Sequence, residues 1–324
     1  MTMDRDEQEL FTATVRATVS GAGSASALDA ALAELGWVEA LEVDPRTAVA
    51  ALFEAQGELT ATSSALGVVV GAALGLGADD GAGLVLPTIG HDDPPGRTEG
   101  TCVPVKGLGL SGLLDRSRAT VVATGSDGAL HVAPVDVAAL EGTVVHGLDP
   151  ELGLVAIDAD CVTTAEPWAP LAGSWDEAVA AGRRALAHEL LGAMRTMLRL
   201  AREHALERIQ FGQPIARFQA VRHKLAEVYV AVEATEAAID AAWQDGTPAA
   251  ATLAKVVAGA NARIARTHCQ QVLAGIGFTT EHDLHRSIKR SLVLDGLLGD
   301  ARTLTTKVGA ELLEARTAPA ITPL

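Results

Sequence analysis

From Asp4 to about residue 77, apolar residues recur at helical rather than alternating spacing. Leu10, Val15 and Val19 belong to a first helix that Gly21 and Gly23 end. Ser26 is placed to cap a second run, SALDAALAELG, which stops at Gly36. Asp44-Pro45 opens another, because proline suits the first helical turn. The stretch from Ala48 to Leu76 supplies one or two more apolar helices.

The texture then changes. Up to about residue 170 the chain is rich in Gly, Pro and Asp, with strand-sized apolar runs at Leu84 to Leu86, Ala119 to Ala123, His131 to Val135 and Leu154 to Ile157. Ser126-Asp127-Gly128 reads as a hairpin turn between two of these runs. DDPPGRTEG, 92–100, reads as a polar loop, and the glycine-rich GLGLSG at 107–112 as another.

From Ser174 the helical period returns. Ser174 and Glu177 suggest a capping box. Leu186, Leu190, Met194, Met197, Ala201 and Ala205 form one stripe on a long helix that ends near Phe211-Gly212, before Pro214. A second helix starts near Phe218, with Val221, Leu225, Val228, Val232 and Ile239 inward, and ends at Asp245-Gly246. Thr247 caps a third, which closes at Gly275-Ile276-Gly277, and Thr280 is placed to cap a fourth. A last helical run covers about 303–314.

The fold expected is mainly α with a small β domain. It comprises an N-terminal helical domain (1–78), a middle β domain (79–172) and a C-terminal four-helix bundle (173–324). Aromatic residues make up only 3% of the 324, so aliphatic side chains must fill the core.

The net charge of −16 argues against nucleic acid and against an anionic membrane surface as partners. The longest apolar stretch, Leu66 to Leu76, is too short to span a bilayer, and the N-terminus lacks a signal pattern. A soluble cytoplasmic protein is expected. Cys102, Cys161 and Cys269 are widely spaced, which predicts isolated thiols rather than a disulfide or a zinc site. His282 and His285, flanked by Glu281 and Asp283, lack a third metal ligand, so no metal is assigned.

The densest chemistry lies in RIQFGQPIARFQA, 208–220, followed by Val221, His223, Leu225 and Ala226, and in QQVLAGIGF, 270–278. Together these resemble the acyl-CoA dehydrogenase family. There an Arg-x-x-Phe-Gly turn joins two bundle helices, and a Gln-x-x-Gly-Gly-x-Gly-Phe/Tyr bend follows. Ala274 stands where the family has the first Gly of its pair. The likeness covers about residues 174–300, and the N-terminal half agrees only in architecture.

The resemblance implies FAD lying across a subunit interface. Arg208, Gln210, Phe211, Gln271 and Gly275 would reach the pyrophosphate and adenosine end of the neighbour's cofactor. The chemistry suits them: a guanidinium forks onto phosphate oxygens, an amide donates and accepts, and glycine lets backbone N–H groups approach an anion. The family removes an α proton with a glutamate while the β hydride passes to the flavin. Its two base positions fall here at Gly299, flanked by Leu298 and Asp300, and at Gly182, beside Arg183. Neither holds a carboxylate. Asp300 and Glu281 are remote substitutes, and the catalytic residue stays unknown.

The family's Thr-Glu-Pro…Gly-Ser-Asp flavin-ring pattern is also missing, with only an echo at Thr164, Glu166 and Pro167. This combination resembles the supporting subunit of actinobacterial heteromeric acyl-CoA dehydrogenases, α2β2 assemblies often acting on steroid side-chain thioesters. The expected partners are therefore a second acyl-CoA dehydrogenase-type subunit, or a further copy of this chain, and an acyl-CoA. The alternatives are a scaffold that binds no flavin and a homomeric dehydrogenase with a displaced base.

Overall fold

The computed structural model describes residues 3–76, 83–98, 102–164 and 167–316. Five helices come first: α1 (Arg5–Gly21), α2 (Ala25–Leu35), α3 (Trp37–Val43), α4 (Pro45–Leu59) and α5 (Ala65–Ala73). Asp4 and Glu7 form a full capping box on α1. Ser24, not Ser26, caps α2, because its hydroxyl accepts the Ala27 N–H. Asp44 caps α4 ahead of Pro45, as the sequence suggests.

The sheet follows. Its strands are β1 (Gly83–Leu84), β2 (Gly96–Thr98), β3 (Val103–Gly109), β4 (Arg118–Gly125), β5 (Leu130–Asp136), β6 (Thr143–Val144), β7 (Val155–Val162) and β8 (Ala169–Pro170). They run in the order β6-β7-β3-β2-β4-β5-β8, with β1 parallel to β4. The hairpin turn at 126–128 joins β4 to β5 as expected, with Gly128 at φ 81°. Two loop expectations are corrected. β2 lies within 92–100, where Gly96 accommodates Ala123 of β4. β3 runs through Gly107 to Gly109, since glycine removes the side chain where Leu86 and Leu113 press against the strand. Alternating inward residues such as Val103, Val105, Val121, Val135 and Ile157 give the sheet its own core.

The cysteine expectation is overturned as well. Cys102 and Cys161 are disulfide-bonded, with Cα atoms 5.0 Å apart, and only Cys269 is a free, buried thiol. The antiparallel pairing of β3 with β7 brings together two residues 59 positions apart. Local spacing carries no trace of that pairing.

The remaining helices are α6 (Trp175–Glu207), α7 (Gln219–Asp245), α8 (Pro248–Leu273), α9 (Leu284–Gly296) and α10 (Ala301–Ala315). Ser174 caps α6 by accepting the Glu177 N–H. All six stripe residues of α6, from Leu186 to Ala205, are fully buried. α6 packs against α4, α5, α7, α8 and α9 and is the spine of the molecule. Gly57 and Gly192 let α4 and α6 touch backbone to backbone, because a Cβ on either would collide with a carbonyl of the other helix. The fourth bundle helix starts at Leu284 rather than beside Thr280, because residues 279–283 extend the preceding turn. Glu166 of the flavin-motif echo and the tail from residue 317 lie outside the described residues.

Candidate functional site

α6 ends where Arg208 leaves helical geometry, its N–H still donating to His204 O at 2.9 Å. Two short strands follow, β9 (Ile209–Gln210) and β10 (Gln213–Pro214), antiparallel and closed by Phe211 and Gly212. Both tip residues have positive φ, 52° and 77°. That is the two-residue hairpin whose twist matches its strands. The tip throws Phe211 outward, 92% exposed, with only an edge contact to the Phe218 ring at 6.1 Å. Arg208 and Gln210 are also exposed. A phenyl ring left in water on so short a hairpin is unfavourable for an isolated chain.

The second motif makes a matching turn at the end of α8. Gln271 is exposed in the last helical turn, and a 3₁₀ turn, Ala274–Phe278, follows. Ala274 sits at φ 51°, ψ −130°, a region that disfavours a side chain. A Cβ at Gly275 would meet nothing within 4 Å, so the backbone there faces open space. Phe278 is 74% exposed. The two turns are tied together: His204, in the last turn of α6, lies edge-on to His282, 6.4 Å between ring centres. Sequence reasoning named the turns but not this histidine contact.

The interior differs. The two positions where a base is expected converge, since a Cβ on Gly182 would collide with the Leu298 side chain and lie 2.9 Å from Val70. Leu298 is 1% exposed. The turn between α9 and α10 is held by two buried cations. Arg183 donates Nε to Leu298 O (3.0 Å), NH1 to Thr252 Oγ1 (2.8 Å) and NH2 to Asp92 (2.7 Å). Lys255 donates to the carbonyls of Asp295 (2.6 Å) and Gly299 (3.2 Å). Burial pushes its pKa down to about 8, against the pull of Asp295.

Asp92 also takes Lys307 Nζ at 2.7 Å, and its carbonyl accepts Trp175 Nε1 at 2.7 Å. Desolvation raises the Asp92 carboxyl, but the hydrogen bonds and charges of Lys307 and Arg183 outweigh it and hold the pKa below the usual range. Gly90 N–H bonds Gly296 O at 2.8 Å. The loop 88–92 is thus pinned to the bundle.

Neither Asp300 nor Glu281 is a free carboxylate facing this turn. Asp300 caps α10, accepting the Arg302 and Thr303 N–H groups and the Thr303 hydroxyl, and that hydroxyl bond leads in lowering its pKa. Glu281 lies exposed on the outer turn. Glu189 is a buried carboxyl that burial pushes up to about 7 against Arg290, 3.5 Å away. Arg290 is itself fully buried and spans Asp149 (2.5 Å), Ala61 O (2.6 Å) and Thr62 (3.0 Å). The void beside Glu189 measures about 20 Å³, room for a water and not for a thioester. Among the described residues no group of three or more metal-ligating side chains occurs, and no helix is long and apolar enough to cross a membrane.

A predominantly helical chain around a small sheet, ending in a bundle with these two turns, is the fold of solved acyl-CoA dehydrogenases. Residues 175–313 match the family profile described as "Acyl-CoA dehydrogenase, C-terminal domain". The chain is 30% identical over 255 residues to acyl-CoA dehydrogenase IpdE2 of Mycobacterium tuberculosis, covering 72% of this chain and 78% of that protein. Among solved structures, one from the ChsE4-ChsE5 complex of Mycobacterium tuberculosis overlays with a TM-score of 0.78 at 19% identity, over 98% of this chain and 99% of that one. A glutaryl-CoA dehydrogenase of Mycobacterium smegmatis in complex with FADH2 gives 0.77 at 17% identity, over 99% and 97%. The chain belongs to the acyl-CoA dehydrogenase family of oxidoreductases.

Proposed function

We propose that this chain is the supporting subunit of a heteromeric FAD-dependent acyl-CoA dehydrogenase. In this reading it grips the nucleotide end of a cofactor whose reactive ring, with the catalytic base, belongs to a partner subunit. The observation that carries the reading is a separation. Arg208, Gln210 and Gln271 are exposed at one end of the bundle, while the two expected base positions are glycines packed against Leu298 and Leu304. A relative's fold that occurs as a complex of two named components supports the heteromer, and one described with FADH2 supports the cofactor.

The outward groups fit the cofactor. The Arg208 fork suits phosphate oxygens, the Gln271 amide suits ribose or adenine, and the bare backbone at Gly275 admits an anion without steric conflict. Phe211 finds in a partner's surface the burial it lacks alone. When bound, FAD accepts the hydride in α,β-dehydrogenation of an acyl-CoA. This chain's residues bind and orient the cofactor and leave proton removal to another chain. The expected base positions leave no room for a carboxylate, because Gly182 packs against Leu298 and Val70 and Gly299 against Leu304. The assembly is soluble and cytoplasmic in this reading, and the thioester is a lipid or steroid side-chain acyl-CoA.

The test is co-expression with the partner subunit. Flavin absorbance should appear in the complex and be near zero in this chain alone. Arg208→Ala should lower flavin retention about 10- to 100-fold, the scale of one charge-assisted contact. Unchanged flavin content in that variant refutes the contact.

A further inference from the structure

An anion at this end of the bundle meets an opposing field. α6 and α8 both finish at the paired turns, and the carbonyl ends of helices carry partial negative charge. Arg208 is one counter-charge. The tie between the turns places two histidines near it.

His204 and His282 stand edge to face, and the Arg208 N–H is bonded to the His204 carbonyl. His282 Nδ1 accepts the Leu284 N–H at 3.1 Å, so the neutral ring carries its hydrogen on Nε2. The His282 carbonyl accepts from His285 Nδ1 at 2.9 Å, which anchors the His282 backbone. Among the described residues no carboxylate forms an ion pair with either ring. His188 and His268, by contrast, face Glu54 and Glu227 at 2.8 and 2.7 Å. The charged groups acting on His204 are His282 and Arg208, of like sign, and Glu207 on its own helix, of opposite sign. Glu281 and Asp283 flank His282 in sequence, both exposed.

We propose that His204 and His282 belong with Arg208 to one receptor for the pyrophosphate anion, and that His204 takes up a proton as the dinucleotide binds. The inference rests on the reading of this end as the cofactor grip. In the free chain, burial first, then His282 and Arg208, push His204 below the usual histidine value, so the His204 ring is neutral near pH 7. An anion beside the pair favours the charged form and raises that value. Affinity therefore rises as pH falls from the bound-state pKa to the free-state pKa and is level outside that window. Each unit of rise corresponds to about tenfold in affinity. This role separates the pair from Arg208, whose charge does not change with pH.

The experiment titrates FAD into the flavin-depleted complex of this chain with its partner subunit. Flavin fluorescence reports affinity, and calorimetry in phosphate-free buffers of differing ionisation enthalpy counts protons. Affinity should rise about tenfold from about pH 8 to about pH 6, with net proton uptake. His204→Gln and His282→Gln, made singly, should each cut the uptake and flatten the profile. A flat profile with no uptake in the unsubstituted complex overturns the proposal. So does uptake that survives both variants, because the proton then goes elsewhere. If Arg208→Ala lowers affinity while the histidine result is negative, this inference alone fails. If Arg208→Ala also changes nothing, the reading of the site fails with it.

Discussion

The outer end of the bundle and the interior cleft are built from the same helices, yet they treat their functional positions in opposite ways. At the outer end Phe211 and Phe278 stand in solvent, Ala274 holds a disfavoured backbone conformation, and Gly275 faces empty space. In the cleft Gly182 is covered by Leu298, Arg183 has all its donor groups engaged, and loop 88–92 is pinned to α6, α9 and α10. Exposed apolar groups and strain persist where a ligand or partner compensates them. Dense packing and satisfied hydrogen bonds are what remain where stability alone is served. Under the proposed function, this contrast puts the cofactor grip of the chain on its surface.

The comparison can be broken most forcefully at Gly182. Gly182→Glu restores a carboxylate at one expected base position, but its side chain has no room against Leu298 and Val70, and its charge is buried. A loss of about 3–5 kcal/mol in denaturant unfolding is expected, with no gain of dehydrogenase activity. A stable, active variant would mean the cleft is open. Asp92→Ala comes next. It removes the carboxylate shared by Arg183 and Lys307 and leaves Arg183 short of a partner. The expected cost is about 2–3 kcal/mol, with flavin per complex unchanged.

Smaller effects belong to the outer end. Arg208→Ala should leave the melting temperature of this chain nearly unaltered while weakening flavin retention, since the side chain is exposed. Ala274→Gly should raise stability by about 0.5–1 kcal/mol, because glycine adopts positive φ without the steric cost of a methyl group. A destabilised Ala274→Gly protein would show that the turn is not strained.

Much of this division was legible in the residues. The helical stripe of α6 and the hairpin at 126–128 follow from local spacing and turn chemistry, and the structure carries both, while the two surface motifs were legible only through the family resemblance. Once the resemblance supplies the two base positions, counting from Arg208 and Arg290 places glycines there, Gly182 and Gly299. What could not be read was whatever depends on contacts between distant segments. The Cys102–Cys161 bond needs the β3–β7 pairing, and the His204–His282 contact needs two helix ends folded together. The sealing of the cleft needs Asp92 to meet residues far along the chain. The fourth bundle helix begins later than the cap chemistry of Thr280 suggests, because Thr280 lies in the turn that follows the 3₁₀ segment Ala274–Phe278. Local propensity competes there with the tertiary need to present the second motif.

The most direct test of the account is the flavin count of the co-purified complex, measured by absorbance after denaturation and normalised to this chain. One FAD for each copy of this chain paired with a partner subunit, falling when only this chain carries Arg208→Ala, is the predicted result. Two FAD per pair, or stoichiometric flavin on this chain purified alone, would contradict it.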